Sequence, residues 1–261
     1  MTTARGSLFT ISIVAASSAG TTTRVQADDA LGALAAPTIV PARTLAIALA
    51  LETSLAVDRA ELAPDLWYGV SDRLTLGISH SHRPDGLVGA NRGLCVRGCL
   101  PADGRYGGVA LSAHFPIVTS ANDVRVSGIA STDVAALAPA MASLVVGGLA
   151  QWHGDRFWAQ AGPRLAIGLL GRAAGNRERL TANVTVGAAI VAPLSVEVGV
   201  GVRGPASGDF FAGADAPLWA QLVLRPRAGF GVGVALGTSD ALGDDARRGY
   251  AALTFEIRAA T

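Results

Sequence analysis

Four small constellations in this 261-residue chain carry residue types that could do chemistry. Gly199 to Gly204 reads GVGVRG, which matches the spacing of a dinucleotide-binding glycine loop. Such a loop must follow a strand and open a helix whose N–H groups meet the pyrophosphate. Here Pro205, Ser207 and Gly208 follow and begin a loop instead, so no nucleotide site is expected. His80 and His82 lie two apart at the rim of a predicted strand and, with Asp85, could share a metal; a hydrated loop start is the plainer reading. Ser79, Ser81, Ser112 and His114 offer hydroxyls and an imidazole to a barrel-embedded hydrolase. No flanking pattern fixes their geometry, and His153 falls in a predicted tight turn that needs no chemical role. No catalytic residue, cofactor or metal is therefore expected. Cys95 and Cys99, the two cysteines of the chain, enclose Val96-Arg97-Gly98. In an oxidising compartment they predict a loop-closing disulfide whose short ring stabilises only modestly.

The strongest chemical signal is a row of charges. Glu52, Glu61, Asp65, Arg73, Arg125, Arg164, Glu197, Arg203, Glu256 and Arg258 all fall on the polar side of alternating segments, beside many Gly, Ala, Ser and Thr. Small residues leave room, and charges enclosed by an apolar wall require water or each other. These ten are expected to line a lumen.

The elements that must hold them are strands. In Leu194 to Arg203, Leu194, Val196, Val198, Val200 and Val202 take one face, and Ser195, Glu197, Gly199, Gly201 and Arg203 take the other. Strict period-two alternation specifies a strand with one apolar and one polar face. Leu180 to Val191 alternates in the same way, and Ala192-Pro193 joins the two as a hairpin. Strands of about ten residues suffice to cross a bilayer when tilted. Further strands are expected near 44–52, 61–70, 73–79, 107–117, 124–131, 140–152, 156–169, 216–224, 228–237 and 248–258, about twelve in all. Connections alternate in length, apart from a short one near Val57 to Arg59 and a poorly defined one near Thr132 to Pro139. Ser71-Asp72, Thr119 to Asp123, His153 to Asp155, Ala192-Pro193 and Arg225 to Arg227 are short, whereas Ser81 to Tyr106, Gly171 to Arg179, Gly204 to Asp215 and Ser239 to Arg248 are longer. Short periplasmic turns and longer outer loops mark outer-membrane barrels. Tyr68, Trp152 and Phe157 at one level, and Tyr106, Trp219 and Tyr250 at the other, are placed for interfacial girdles. Val134 to Trp152 runs uncharged for the length of a membrane helix, but Pro139 and Gly147-Gly148 weaken that alternative.

Composition agrees. The chain is half hydrophobic but only 5% aromatic and 16% charged, with 32 glycines, and all 21 basic residues are arginine. A net charge of +1 offers no field for nucleic acid, which is excluded as a partner. Residues 1–27 read as a secretory signal, with Arg5, the apolar Leu8 to Ala16, and Val25-Gln26-Ala27 before the cleavage point. Residues 28–43, with Pro37 and Pro41, read as an extended periplasmic lead-in, and 44–261 as the barrel.

Tyr68-Gly69-Val70-Ser71-Asp72-Arg73-Leu74-Thr75-Leu76-Gly77 resembles a hairpin recurrent in Gram-negative outer-membrane barrels, including porin-like proteins of the phenol-degradation (MetA-pathway) group. The resemblance implies a twelve-or-so-stranded barrel passing small molecules. The chain departs from such barrels in ending Arg258-Ala259-Ala260-Thr261, without a terminal aromatic. The expectation is an all-β, antiparallel up-and-down transmembrane barrel in the bacterial outer membrane, in contact with lipid and small solutes. Its expected function is a narrow channel or transporter. A plugged structural or surface-interaction barrel, a barrel hydrolase and a soluble periplasmic β-protein are the alternatives.

Overall fold

The computed structural model describes residues 39–55, 59–81, 93–98, 106–119, 124–137, 140–208, 210, 214–238, 240–241 and 249–260. The expected signal segment, His82 and Asp85 lie outside them. The strands are β1 (Thr44–Ser54), β2 (Ala60–Ser71), β3 (Leu74–Ser79), β4 (Leu94–Arg97), β5 (Val109–Thr119), β6 (Val124–Leu137), β7 (Ala140–His153), β8 (Phe157–Leu170), β9 (Arg179–Val191), β10 (Leu194–Pro205), β11 (Leu218–Arg227), β12 (Phe230–Thr238) and β13 (Gly249–Ala260). Each long strand pairs antiparallel with its neighbours in sequence. β1 then pairs with β13 as well as β2, with Thr44 opposite Ala260 and Leu45 opposite Tyr68. That second pairing closes a twelve-stranded antiparallel barrel and removes the open edges that a membrane cannot tolerate.

The short strand β4 belongs to a loop. β3 spans only the rim half of β2, and β4 takes over along the rest, with Glu61 opposite Cys95 and Leu62 opposite Leu94. The wall is thereby continued by a segment that returns after an excursion of the chain.

The facing rule read from the alternation holds across the barrel. Val198, Leu222 and Val234 point outward and are 43%, 51% and 54% exposed, whereas Glu197, Thr185 and Ala235 beside them are buried. The described strands thus carry an exposed apolar outer face, the pattern of barrel walls in outer membranes. No helix among the described residues is long and apolar enough to cross a membrane.

The uncharged run Val134 to Trp152 is divided between two strands, with β7 where a strand was expected: β6 continues to Leu137, and β7 begins at Ala140. Two expectations are corrected. The turn expected at Arg225 to Arg227 lies three residues later, at 228–229, where Gly229 takes φ 73°, a left-handed backbone that favours glycine. The outer girdle also fails. Tyr68, Trp152 and Phe157 face outward, but Trp219 and Tyr250 are buried on the inward face.

Residues 39–43, expected to stand apart from the barrel, lie against its mouth, with Val40 buried and Pro41, Ala42 and Arg43 exposed. Val40 is buried with Ala46, Ala48 and Trp67, all inward positions of β1 and β2. Its N–H donates to Thr75 Oγ1 at 2.8 Å. The chain then turns at the rim, where Arg43 has φ 58°, Arg43 N–H donates to the Gly69 carbonyl at 2.7 Å, and Thr44 N–H donates to the Pro41 carbonyl at 3.1 Å. Gly69 makes this possible, because a Cβ there would collide with the carbonyl oxygens of Val40 and Pro41.

Candidate functional site

The inward face is divided by charge. Of the ten expected lumen residues, Glu61, Asp65, Arg164, Glu197 and Glu256 are buried on inward positions. Glu52, Arg203 and Arg258 are half-buried there. Two do not join the row. Arg73 lies in the turn between β2 and β3, before the first strand residue, and is exposed. Arg125 is the second residue of β6 and is exposed at the rim. Both follow the alternation, but at a strand end the side chain reaches past the wall into solvent, so parity alone does not enclose it.

Glu52 and Glu61 sit opposite each other on β1 and β2, and Arg59 forms an ion pair with Glu61. At the other end of the barrel, Arg258 Nε donates to Glu256 Oε1 at 2.6 Å. The arginines concentrate across the ring: Arg164 on β8, Arg179 on β9 and Arg203 on β10. In ring order β2 and β9 are six strands apart either way, so Glu61 and Asp65 occupy the wall opposite Arg179.

These arginines surround a cavity of about 160 Å³ in the loop-side half of the barrel. Arg164, Arg177, Arg179 and Arg203 line it, together with Asn176, Thr181 and Asp133. The register explains the clustering. Arg164 and Arg203 both pair with Thr181, from opposite sides of β9, so three adjacent inward positions stand in a row. Asp215 approaches from the loop between β10 and β11. Its Oδ2 lies 2.9 Å from Arg203 Nη2 and 3.3 Å from Nε, and 3.7 Å from Arg179 Nη2. Arg177, Arg179, Asp133 and Asp215 escaped the sequence reading. Arg179 has the parity of Asn183 and Thr185, which was the signal available, but it fell just before the expected start of its strand.

Below this cavity the wall is lined by aromatic and amide side chains. Trp67, Trp158 and Trp219 are all buried, and each stands in register with a glycine of the next strand: Gly77, Gly187 and Gly199 respectively. A Cβ on any of these glycines would fall inside the indole. The pairing lets a large ring lie flat on the wall, a cross-strand arrangement that stabilises both partners. Gln151 continues the lining, its Nε2 donating to Gln160 Oε1 at 3.3 Å.

At the opposite mouth a second cavity, of about 250 Å³, is bordered by Pro41, Thr44, Arg225, Glu256 and Arg258. Residues 39–43 therefore form part of that mouth.

Among the described residues, Ser81 and His80 engage Asp65, Pro64 and Tyr106. Ser81 Oγ donates to Asp65 Oδ2, while the backbone N–H groups of His80 and Ser81 donate to Asp65 Oδ1 at 2.7 and 3.0 Å. His80 Nδ1 faces the Pro64 carbonyl, so that nitrogen carries hydrogen. Its Nε2 lies 2.9 Å from the Tyr106 hydroxyl. Desolvation raises the Tyr106 phenol above its ordinary pKa. Asp65 thus acts as a clasp that folds the start of the long loop inward. Ser79, Ser112 and His114 are buried on inward positions of β3 and β5. No group of three or more metal-ligating side chains occurs among the described residues. GVGVRG lies within β10 and opens no helix. Cys95 is disulfide-bonded; Cys99 lies outside the described residues.

No protein-family model matches the chain, and no curated protein matches it. Solved structures do. A structure described as the KdgM porin in complex with disordered oligogalacturonate superposes with a TM-score of 0.56 at 7% identity, over 81% of this chain and 98% of that one. The NanC porin superposes with a TM-score of 0.57 at 6% identity, over 82% and 99%. The fold is a porin-type twelve-stranded barrel. The porin-like architecture expected from the hairpin at 68–77 is the one found.

Proposed function

We propose that this porin-type barrel resides in the bacterial outer membrane and is a narrow channel for small solutes. The carrying observation is the inward face itself: charged and hydrogen-bonding side chains run along the inside of a wall whose outside is apolar, with a polar cavity towards each end. An apolar plug would serve a purely structural barrel as well, whereas charged side chains inside a low-dielectric wall require water or one another. The porin-type fold supports the reading, and the bound oligogalacturonate of the KdgM structure makes a small polar solute the natural class. Passage is by diffusion through the polar interior.

Within this reading residues 1–27 are the secretory signal, 28–43 the lead-in whose last residues lie against the mouth, and 44–261 the barrel. Cys95 is joined to Cys99, so maleimide labelling of intact cells should require a reductant.

A second reading has an observation of its own. Trp67, Trp158 and Trp219 are each 1–2% exposed, and Val40 occupies the mouth. On that basis the barrel is closed and serves as a platform for its outer loops. Reconstitution into a planar bilayer decides between them. Discrete conductance steps are expected; correctly inserted protein that passes no current and admits no small solute in liposome swelling leaves the platform reading in place.

A further inference from the structure

Asp215 is held by two guanidinium groups from adjacent strands. Arg203 meets its Oδ2 through Nη2 and Nε, and Arg179 stands 3.7 Å away. Fork-shaped donation of this kind is what arginine offers to a carboxylate, from the loop or from a solute. The same two arginines, with Arg164 and Arg177, wall the adjoining 160 Å³ cavity, where Asp133 is the sole carboxylate among the described lining residues. Two guanidiniums present ten N–H donors between them, and the contacts to Asp215 Oδ2 engage only some of these. Thr181 and Asn176 add neutral hydrogen-bonding groups to the lining. The volume suits a small anion of a few heavy atoms, not a whole oligomer.

We infer that this cavity is a binding station for small carboxylate solutes, in which Asp215 is a built-in competitor that shares Arg203 and Arg179 with the passing anion. The station rests on the channel reading for its part in transport, but its binding chemistry stands independently. A channel site must attract its solute without holding it. An internal carboxylate within reach of the same guanidiniums lowers the affinity and offers the arginines a partner as the solute leaves. Arg203 is not positioned by that side chain alone, because Arg203 and Asp215 also exchange backbone hydrogen bonds of 2.9 and 2.8 Å. Removing the Asp215 charge therefore frees donors without releasing the strand that carries them.

Titration calorimetry on the folded full-length protein in detergent micelles, at low ionic strength, tests this with succinate and with uncharged succinamide. Succinate should bind and succinamide should not. Arg203→Gln should weaken succinate binding about tenfold or more, the loss expected for a hydrogen-bonded charge. Asp215→Asn should tighten it severalfold, and Arg203→Lys should fall between wild type and Arg203→Gln. The shift in gel mobility on boiling verifies that each variant is folded. Unchanged succinate affinity in Arg203→Gln overturns the station, as does weaker binding in Asp215→Asn, which would make Asp215 an organiser and not a competitor. Binding as described in a protein that carries no current removes the channel reading and leaves the site. Conductance without succinate binding removes the site and leaves the channel.

Discussion

Trp219 lies directly across the β10–β11 ladder from Gly199, and its indole fills the space that any Cβ at position 199 would need. Inward parity alone suggests that serine would be tolerated there, since the lumen side of a barrel commonly accepts small polar residues. The register says otherwise. Gly199→Ser should destabilise the barrel by about 1–3 kcal/mol, the usual cost of overpacking. Trp219→Ala should relieve much of that cost in the double variant, because residues in contact are not additive. Urea-induced unfolding in detergent, followed by tryptophan fluorescence or gel mobility, provides the comparison. Full additivity would mean that the two side chains do not meet.

The outward neighbour behaves differently. Val198 is 43% exposed on the lipid side, between Val186 on β9 and Ala220 on β11. Val198→Arg should cost about 2–4 kcal/mol at the membrane midplane, and Val198→Leu almost nothing. If arginine is accepted as readily as leucine in a folded, membrane-inserted protein, the facing of β10 is wrong.

The tucked residues at the rim lend themselves to a test of the mouth. Gly69→Val places a side chain against the carbonyl oxygens of Val40 and Pro41 and should lever residues 40–41 off the wall. The buried N–H of Val40 then loses Thr75 Oγ1. Single-channel conductance should rise while the barrel stays heat-modifiable on gels. An unchanged conductance would show that this segment does not narrow the passage.

Acid should loosen the loop between β8 and β9. The hydrogen bond from Arg172 to Glu178, reinforced by their opposite charges, holds the Glu178 carboxyl below its ordinary pKa and raises the Arg172 guanidinium. Arg172 also donates to the Gly168 carbonyl at 2.9 Å. A depressed carboxyl pKa means that the tie is fully present above the unfolded-state value and is lost as pH falls through the lowered one. Following the Glu178 side-chain carboxyl by NMR should give a midpoint below that of a free glutamate. Arg172→Gln should move it upward; a midpoint indifferent to that change would place the cause elsewhere.

Much of the wall was legible from sequence because its information is local. A strand's side chains alternate with a period of two, so Val196, Val198 and Val200 declare one face and Ser195, Glu197 and Gly199 the other without knowledge of the neighbours. The same locality made about twelve strands countable and put the cross-membrane direction of each in order. It erred at ends, where Arg73 and Arg125 keep their parity but run out of wall, and where Arg179 lay one residue outside its expected strand.

What only the tertiary structure decided are relations between strands, since register and closure depend on pairings far apart in sequence. That Trp67, Trp158 and Trp219 each meet a glycine follows from register, and no alternation reveals it. Trp219 and Tyr250 are a different case, because Trp219 shares the parity of Gln221 and Tyr250 that of Thr254 and Glu256, so their inward facing lay in the alternation and was masked by their position near a strand end. Val40 reaches Thr75 across 35 positions, so a proline-flanked lead-in that reads as free chain becomes part of the mouth. Arg164, Arg179 and Arg203 converge on one cavity because β8, β9 and β10 are adjacent and Thr181 aligns two of them. Asp215 joins them only because its loop folds back over β10, and long-range electrostatics of that kind has no period for a sequence to display.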